Sequence, residues 1–341
     1  MNKQKNRFGE GIIYNIKDLT GKIYFSCAAC MSVYAEVLGW SNKNKEKIVK
    51  SPELADNIIV LTCQVTDLAI LNDFKIITNL KTSYPDKNFF FGGCLSQRFD
   101  IELPDYIMRI DHIREDYEPI NDKSLVTYEK PFWTNCSDDN DDEFAQGNLF
   151  RHMYPLRVGV GCHGKCKYCT IRTTRGIAYD LDINKLEQEF IDNENIVIIA
   201  DSISSDQIMD CAKLAFKHNK KISFRNVEPH NVLASRITLA GLAVDGLLKV
   251  LHTPVQAFDE DVLKTMNRSK SDVDKLIKFI KTLKDFDVFT ATNIIIDYDN
   301  HKNNFDEIYN VFDYVSWNPY WNGDFDLQKA YDRFNHYIWI G

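Results

Sequence analysis

At 341 residues, 44% apolar and with a formal net charge of −8, the chain is too long for one average domain and too apolar for a disordered one. It has no run of about 18 uncharged apolar residues, and its N-terminus lacks the apolar stretch of a signal peptide, which argues against a membrane span and for a cytoplasmic location. In that reducing compartment nine cysteines read as metal ligands or reactive thiols rather than disulfides, and the acidic balance argues mildly against a nucleic-acid partner.

The stretch 22–28, KIYFSCA, reads as a short buried strand, followed by a helix from Met31. NIIVLTC (57–63) is a second strand, leading into a helix from Asp67, and NFFFGG (88–93) is a third. Each ends at a cysteine: Cys27 or Cys30, then Cys63, then Cys94. Strands alternating with helices predict a parallel sheet whose carboxyl-end loops open on one edge. Thiols delivered to that edge can share a site; the plainer alternative is three unrelated buried cysteines, since a free Cys often behaves as a small core residue. Residues 134–147, TNCSDDNDDEFAQG, have the composition of a solvated linker. Cys136 falls in it and Cys211 on a later helix, and both are read as incidental.

From Met153 a second alternation begins. Strands are predicted at 156–160, 196–200, 222–226, 246–251 and 289–296, and helices at 183–193, 205–217, 235–242, 259–267 and 272–285. These repeats fill about 180 residues, enough for a partial parallel barrel but short of the ~250 of an eight-fold one. The end of the chain, from VSWNPYW onward, carries three of the five tryptophans and reads as a packing segment that closes the barrel. The expected organisation is α/β throughout: a parallel α/β sheet domain over 1–130, a linker over 131–150, a partial (β/α) barrel over 151–315 and an aromatic segment over 316–341.

Between the first barrel strand and its helix lies VGVGCHGKCKYCTIRTTRG, with Cys162, Cys166 and Cys169 in a C-x3-C-x2-C spacing. Gly161 and Gly164 let such a loop turn tightly. Three thiolates satisfy three irons of a [4Fe-4S] cluster and leave the fourth iron open to a substrate or cofactor. A zinc site with His163 as fourth ligand is the alternative, although the paired C-x2-C spacing of a zinc ribbon is absent.

C-x3-C-x2-C with Tyr168 before the last cysteine resembles the signature of radical S-adenosylmethionine (SAM) enzymes. The wider context resembles their methylthiotransferase branch. CTIRTTRG (169–176), RNVEP (225–229) and LHTPVQAFDEDVLKTMNR (251–268) are similar to that family's barrel motifs. KIYFSCAACMSVYAE, VLTCQVTDLA and GGCLSQR are similar to the three cysteine motifs of the domain that precedes its radical core, with Cys30 rather than Cys27 at the family's first cysteine.

The resemblance implies two [4Fe-4S] clusters. One, on Cys162, Cys166 and Cys169, would bind S-adenosyl-L-methionine and cleave it reductively to a 5′-deoxyadenosyl radical. The other, an auxiliary cluster on Cys30, Cys63 and Cys94, would carry the sulfur. The outcome would be replacement of an unactivated C–H by C–S–CH3, with electrons from a donor such as flavodoxin or ferredoxin. Tyr168, Asp201, Arg225 and Gln256 are the candidate SAM contacts. The chain departs from the family at Ala200-Asp201, where a Gly-Gln pair is usual, and from Asn293 onward, NIIIDYDNHKNNFDE. About 30 residues follow the barrel, too few for the family's C-terminal TRAM domain, a domain that helps bind tRNA or a protein substrate. A peptide or protein side chain is therefore the expected substrate. A tRNA adenosine, or a non-catalytic iron–sulfur carrier role, is the alternative.

Overall fold

The computed structural model describes residues 2–113, 120, 122–128, 150, 153–296, 298 and 310–320. The linker stretch 131–149, with Cys136, and the segment 321–341 lie outside the described residues. The described residues fall into two compact units. The first holds those up to Tyr128 with Thr173–Arg175; the second holds Phe150–Arg172 and Gly176–Tyr320.

In the first unit, apolar runs with no polar alternation form strands buried on both faces. These are β3 (Ile23–Cys27), β4 (Asn57–Thr62) and β5 (Asn88–Gly93), which follow a polar hairpin of β1 (Asn2–Asn6) and β2 (Gly9–Ile13). Helices α1 (Met31–Lys43) and α2 (Asp67–Ser83) are the crossovers between them. With β6 (Ile107–Arg109) and β7 (Thr127–Tyr128) they make a five-stranded, all-parallel sheet in the order β6-β5-β4-β3-β7. Register places Cys27 beside Leu61 and Thr62 beside Gly93, so β3, β4 and β5 end level with one another. Thr66 caps α2 by accepting from the Ala69 N–H at 3.1 Å, which stops the chain three residues past Cys63 and turns it into the helix.

The second unit is a six-stranded parallel sheet in the order β8-β11-β12-β13-β14-β15, an open barrel wall. Its strands are β8 (Tyr154–Arg157), β11 (Ile196–Ile199), β12 (Ile222–Phe224), β13 (Leu248–His252), β14 (Phe289–Ile296) and β15 (Tyr314–Pro319). The strand expected at 156–160 is in fact two. After Val158 the chain leaves the sheet as β9 (Gly159–Val160), which pairs antiparallel with β10 (Tyr179–Asp180). The helix expected at 183–193 starts as a tighter 3-10 turn at Ile183–Leu186 before α4 (Glu187–Asp192); a short α3 (Ile171–Thr174) precedes it.

The later helices are α5 (Ser205–His218), α6 (Pro229–Ala234), α7 (Arg236–Val244), α8 (Glu260–Thr265) and α9 (Lys270–Leu283). A reciprocal Ser204–Gln207 capping box starts α5, and left-handed Asn219 ends it. β15 pairs with β14 in parallel from Tyr314 to Pro319 and forms the last strand of the sheet. No helix among the described residues is long and apolar enough to cross a membrane.

Candidate cofactor site

The loop bearing Cys162, Cys166 and Cys169 is closed at its base by the β9–β10 pair. Gly161, at φ +79°, sits so close to the returning strand that a Cβ there would lie 2.5 Å from the Ile177 carbonyl oxygen. The Cys162 N–H donates to the Gly176 carbonyl at 3.1 Å, and the Gly161 N–H to Asp201 Oδ2 at 2.9 Å. Asp201, just past β11, therefore braces the loop from beneath.

Gly164 makes room between two of the sulfurs. Its N–H donates to Cys162 Sγ at 3.2 Å, and a Cβ would come within 3.1 Å of Cys162 Sγ and 3.9 Å of Cys166 Sγ. From the other side the loop is held by the segment after α8. The Lys167 N–H donates to the Met266 carbonyl at 3.3 Å, and Asn267 Nδ2 to the Lys165 carbonyl at 3.1 Å. Arg268 is the hub: Nε donates to the Tyr168 hydroxyl at 3.1 Å and Nη1 to the Pro254 carbonyl at 2.8 Å. Nη2 pairs with Glu228 Oε2 at 2.6 Å and reaches Cys166 Sγ at 4.0 Å.

Burial pushes the Cys162 thiol up and the Cys169 thiol to about 12, so without metal both keep their protons. Burial also raises Tyr168. Arg268 is held charged: burial works against its proton, and Glu228, Tyr168 and Cys166 outweigh it. Beside Cys166 opens a cavity of about 350 Å³, lined among others by Ser202, Glu228, His230, Asn267 and Arg268.

The four candidate SAM contacts are dispersed. Tyr168 sits in the loop under Arg268, and Arg225 follows β12 with its N–H on the Ile198 carbonyl at 3.2 Å. Gln256 holds a left-handed conformation, φ +70°, and its backbone exchanges hydrogen bonds of 2.9 Å with Asn293 and Ile295. None of Tyr168, Asp201, Arg225 and Gln256 lines the cavity. Near Arg225, buried His252 accepts from the Asn226 N–H at 3.3 Å through Nδ1 and donates to Asn293 Oδ1 at 3.0 Å through Nε2. Burial first, then the Arg225 charge, lowers its pKa to about 4, so it is a neutral imidazole. Residues missed as candidates are Arg268, Glu228 and His252. All three stood inside the motifs quoted above, with no residue-level signal marking them out.

The other triad lies in the first unit, at the carboxyl ends of three adjacent strands. Cys30 is the N-cap of α1, three residues beyond β3. Cys63 follows β4, its N–H donating to Asp73 Oδ2 at 2.9 Å. Cys94 follows β5, with its N–H on the Thr62 carbonyl at 3.2 Å. Gly93, at φ +75°, gives β4 and β5 this close approach, for a Cβ would meet the Thr62 carbonyl oxygen at 2.6 Å. Cys27 ends β3, fully buried, with Cys30, Asp73 and Cys63 as its electrostatic neighbours; burial raises its thiol strongly. Cys211, on α5, is fully buried in the second unit.

The Radical SAM superfamily matches residues 156–312. The chain is 25% identical over 313 residues to the "Ribosomal protein uS12 methylthiotransferase RimO" of Clostridium kluyveri, covering 84% of this chain and 70% of that one. It is 24% identical over 295 residues to the "tRNA-2-methylthio-N(6)-dimethylallyladenosine synthase" of a Ruegeria species, covering 77% and 66%. The chain carries a radical SAM domain and is similar, over most of its length, to radical SAM methylthiotransferases. Among solved structures, Escherichia coli coproporphyrinogen III oxidase (HemN), a radical SAM enzyme, aligns with a TM-score of 0.35 at 14% identity, over 52% of this chain and 48% of that one.

The group a radical SAM domain holds is a [4Fe-4S] cluster with SAM, and the loop fits it. Among the described residues no three Cys, His, Asp or Glu side chains converge closely enough to hold a single metal ion. A four-iron cluster takes each thiolate on a separate iron, whereas tetrahedral zinc needs its ligands around one point. Thr253 Oγ1 and Asn226 Oδ1 are buried at the barrel's carboxyl end with no hydrogen-bond partner among the described residues, polar atoms that a bound cofactor can satisfy.

Proposed function

We propose that this enzyme uses two [4Fe-4S] clusters, one on Cys162, Cys166 and Cys169 and one on Cys30, Cys63 and Cys94, to place a methylthio group on a protein side chain. The observation that carries this reading is the placement of two cysteine triads: one follows three adjacent parallel strands of the first unit, and the other lies in the loop after the first barrel strand of the second. When bound, the clusters with SAM supply the electron, the hydrogen-abstracting radical and the sulfur. What the chain supplies is position. Gly161 and Asp201 fix where the radical loop leaves the barrel, Arg268 ties it to Glu228 and Pro254, and Gly164 keeps space between two sulfurs. Tyr168, Asp201, Arg225 and Gln256, each in the loop or just past a barrel strand, remain the proposed SAM-facing set.

In this reading residues 1–130 are the auxiliary-cluster domain, 131–150 the linker, 151–315 the radical barrel and 316–341 an aromatic C-terminal segment. A protein substrate is favoured because several similar relatives carry the name of a ribosomal protein uS12 methylthiotransferase. A tRNA adenosine is the second reading, supported by the Ruegeria relative. A cytoplasmic location and an electron donor of the flavodoxin or ferredoxin kind complete the proposal.

Anaerobic reconstitution tests the cluster count. About eight irons per chain are expected, falling to about four when Cys30, Cys63 and Cys94 become Ala. A wild-type value near four overturns the two-cluster reading. Methyl-deuterated SAM offered with a uS12 peptide, or with bulk tRNA, then tests the substrate: label on the peptide supports the first reading and label on an adenosine the second.

A further inference from the structure

Asp73 stands in the second turn of α2, on the buried face it shares with Ile70 and Ile77, and is itself entirely buried. One carboxyl oxygen, Oδ2, accepts the Cys63 N–H at 2.9 Å; the other, Oδ1, is buried with no hydrogen-bond partner among the described residues. A buried carboxyl with one oxygen unmet costs stability. The fold alone gives no return for that cost, because an apolar side chain would pack with Ile70 and Ile77, and a neutral amide would serve the Cys63 N–H equally well. Residues that cost stability without serving the core belong to functional sites. The surroundings agree, since Asp73, Cys30 and Cys63 all bear electrostatically on the buried Cys27 thiol.

We propose that Asp73 is a positioning residue for the auxiliary cluster: by holding the Cys63 amide it fixes the turn after β4 and so aims the Cys63 thiolate. The inference rests on the two-cluster reading above. It carries a second consequence. An amide engaged by Asp73 cannot donate to sulfur, and N–H···S bonds shift cluster potentials. Asp73 therefore also keeps one donor away from the cluster.

The test uses the full chain carrying C162A, C166A and C169A, so that all bound iron belongs to the auxiliary site. Iron and sulfide content, the reduction potential by EPR-monitored titration, and far-UV circular dichroism of the metal-free protein are compared for Asp73, D73N and D73L. D73L is expected to keep the metal-free fold but bind less than half the iron, with the remainder at a shifted potential. D73N, which retains an acceptor, is expected to restore both. The inference is overturned if D73L matches the parent in iron and potential, if D73N fails as D73L does, or if metal-free D73L does not fold. If the parent itself takes up no iron, the two-cluster reading falls, and the Asp73 inference with it.

Discussion

Arg268 joins three separated segments through one guanidinium: Tyr168 in the cysteine loop, Pro254 after β13 and Glu228 ahead of α6. Its side chain is 6% exposed and that of Glu228 24%, so their ion pair is mostly desolvated and removing one member leaves the other uncompensated. R268M is expected to destabilise the metal-free protein by about 2 kcal/mol in urea unfolding, with E228Q,R268M recovering part of that loss. Strict additivity of the two changes would show that the pair does not act as a unit. His252 works through its proton. Its folded pKa of about 4 lies below the ordinary 6.5, so between those values the unfolded chain binds the extra proton. Its contribution is complete above about pH 6.5 and is lost as pH falls toward 4, a drop of about 3 kcal/mol. Unfolding free energies across that range are expected to fall less steeply for H252Q; parallel curves would mean that another group carries the acid sensitivity.

The cysteine loop depends on its base. Gly161→Ala adds a Cβ where the Ile177 and Gly176 carbonyl oxygens stand 2.5 and 2.8 Å away, at a φ that L side chains rarely adopt. A cost of about 2 kcal/mol is expected. Because this base belongs to the radical loop, iron should be lost there and kept at the auxiliary triad, which iron counts in backgrounds lacking one triad or the other can separate. The β9–β10 pair that makes this base was not legible in the sequence, and the reason is physical. Two-residue strands have no periodicity, and only the partner strand, 19 residues away in register at Tyr179↔Val160, defines them. β15 was missed for a related reason: its aromatic, Asn-containing run signals packing before it signals a strand. What was legible had strong local causes, such as the apolar runs of β3, β4, β5 and β14 and the amphipathic α5 and α9. The six cysteines were legible as spacing and strand-end placement. Their supports, Arg268, Glu228 and Asp73, are set by contacts of long sequence separation that no window reveals.

In the proposed reading the two units divide the chemistry between them. Cys162, Cys166 and Cys169, the Arg268–Glu228 brace and the 350 Å³ cavity all belong to the second, while Cys30, Cys63, Cys94 and Asp73 belong to the first. Among the described residues, the hydrogen bonds that brace the cysteine loop come from Gly176, Asp201, Met266, Asn267 and Arg268 of the second unit. Radical initiation is therefore expected to survive loss of the auxiliary triad, while transfer of sulfur is not. In the C30A/C63A/C94A chain, reduced and supplied with SAM, 5′-deoxyadenosine should form within about tenfold of the parent rate, and no methylthio product should appear on peptide or tRNA. The reciprocal chain, with C162A, C166A and C169A, should form neither. If removing the auxiliary thiols abolishes 5′-deoxyadenosine as well, initiation needs the first unit, and the division of labour drawn from the two triads fails. If product persists without them, the sulfur comes from elsewhere, and the first unit holds no sulfur-donating cluster.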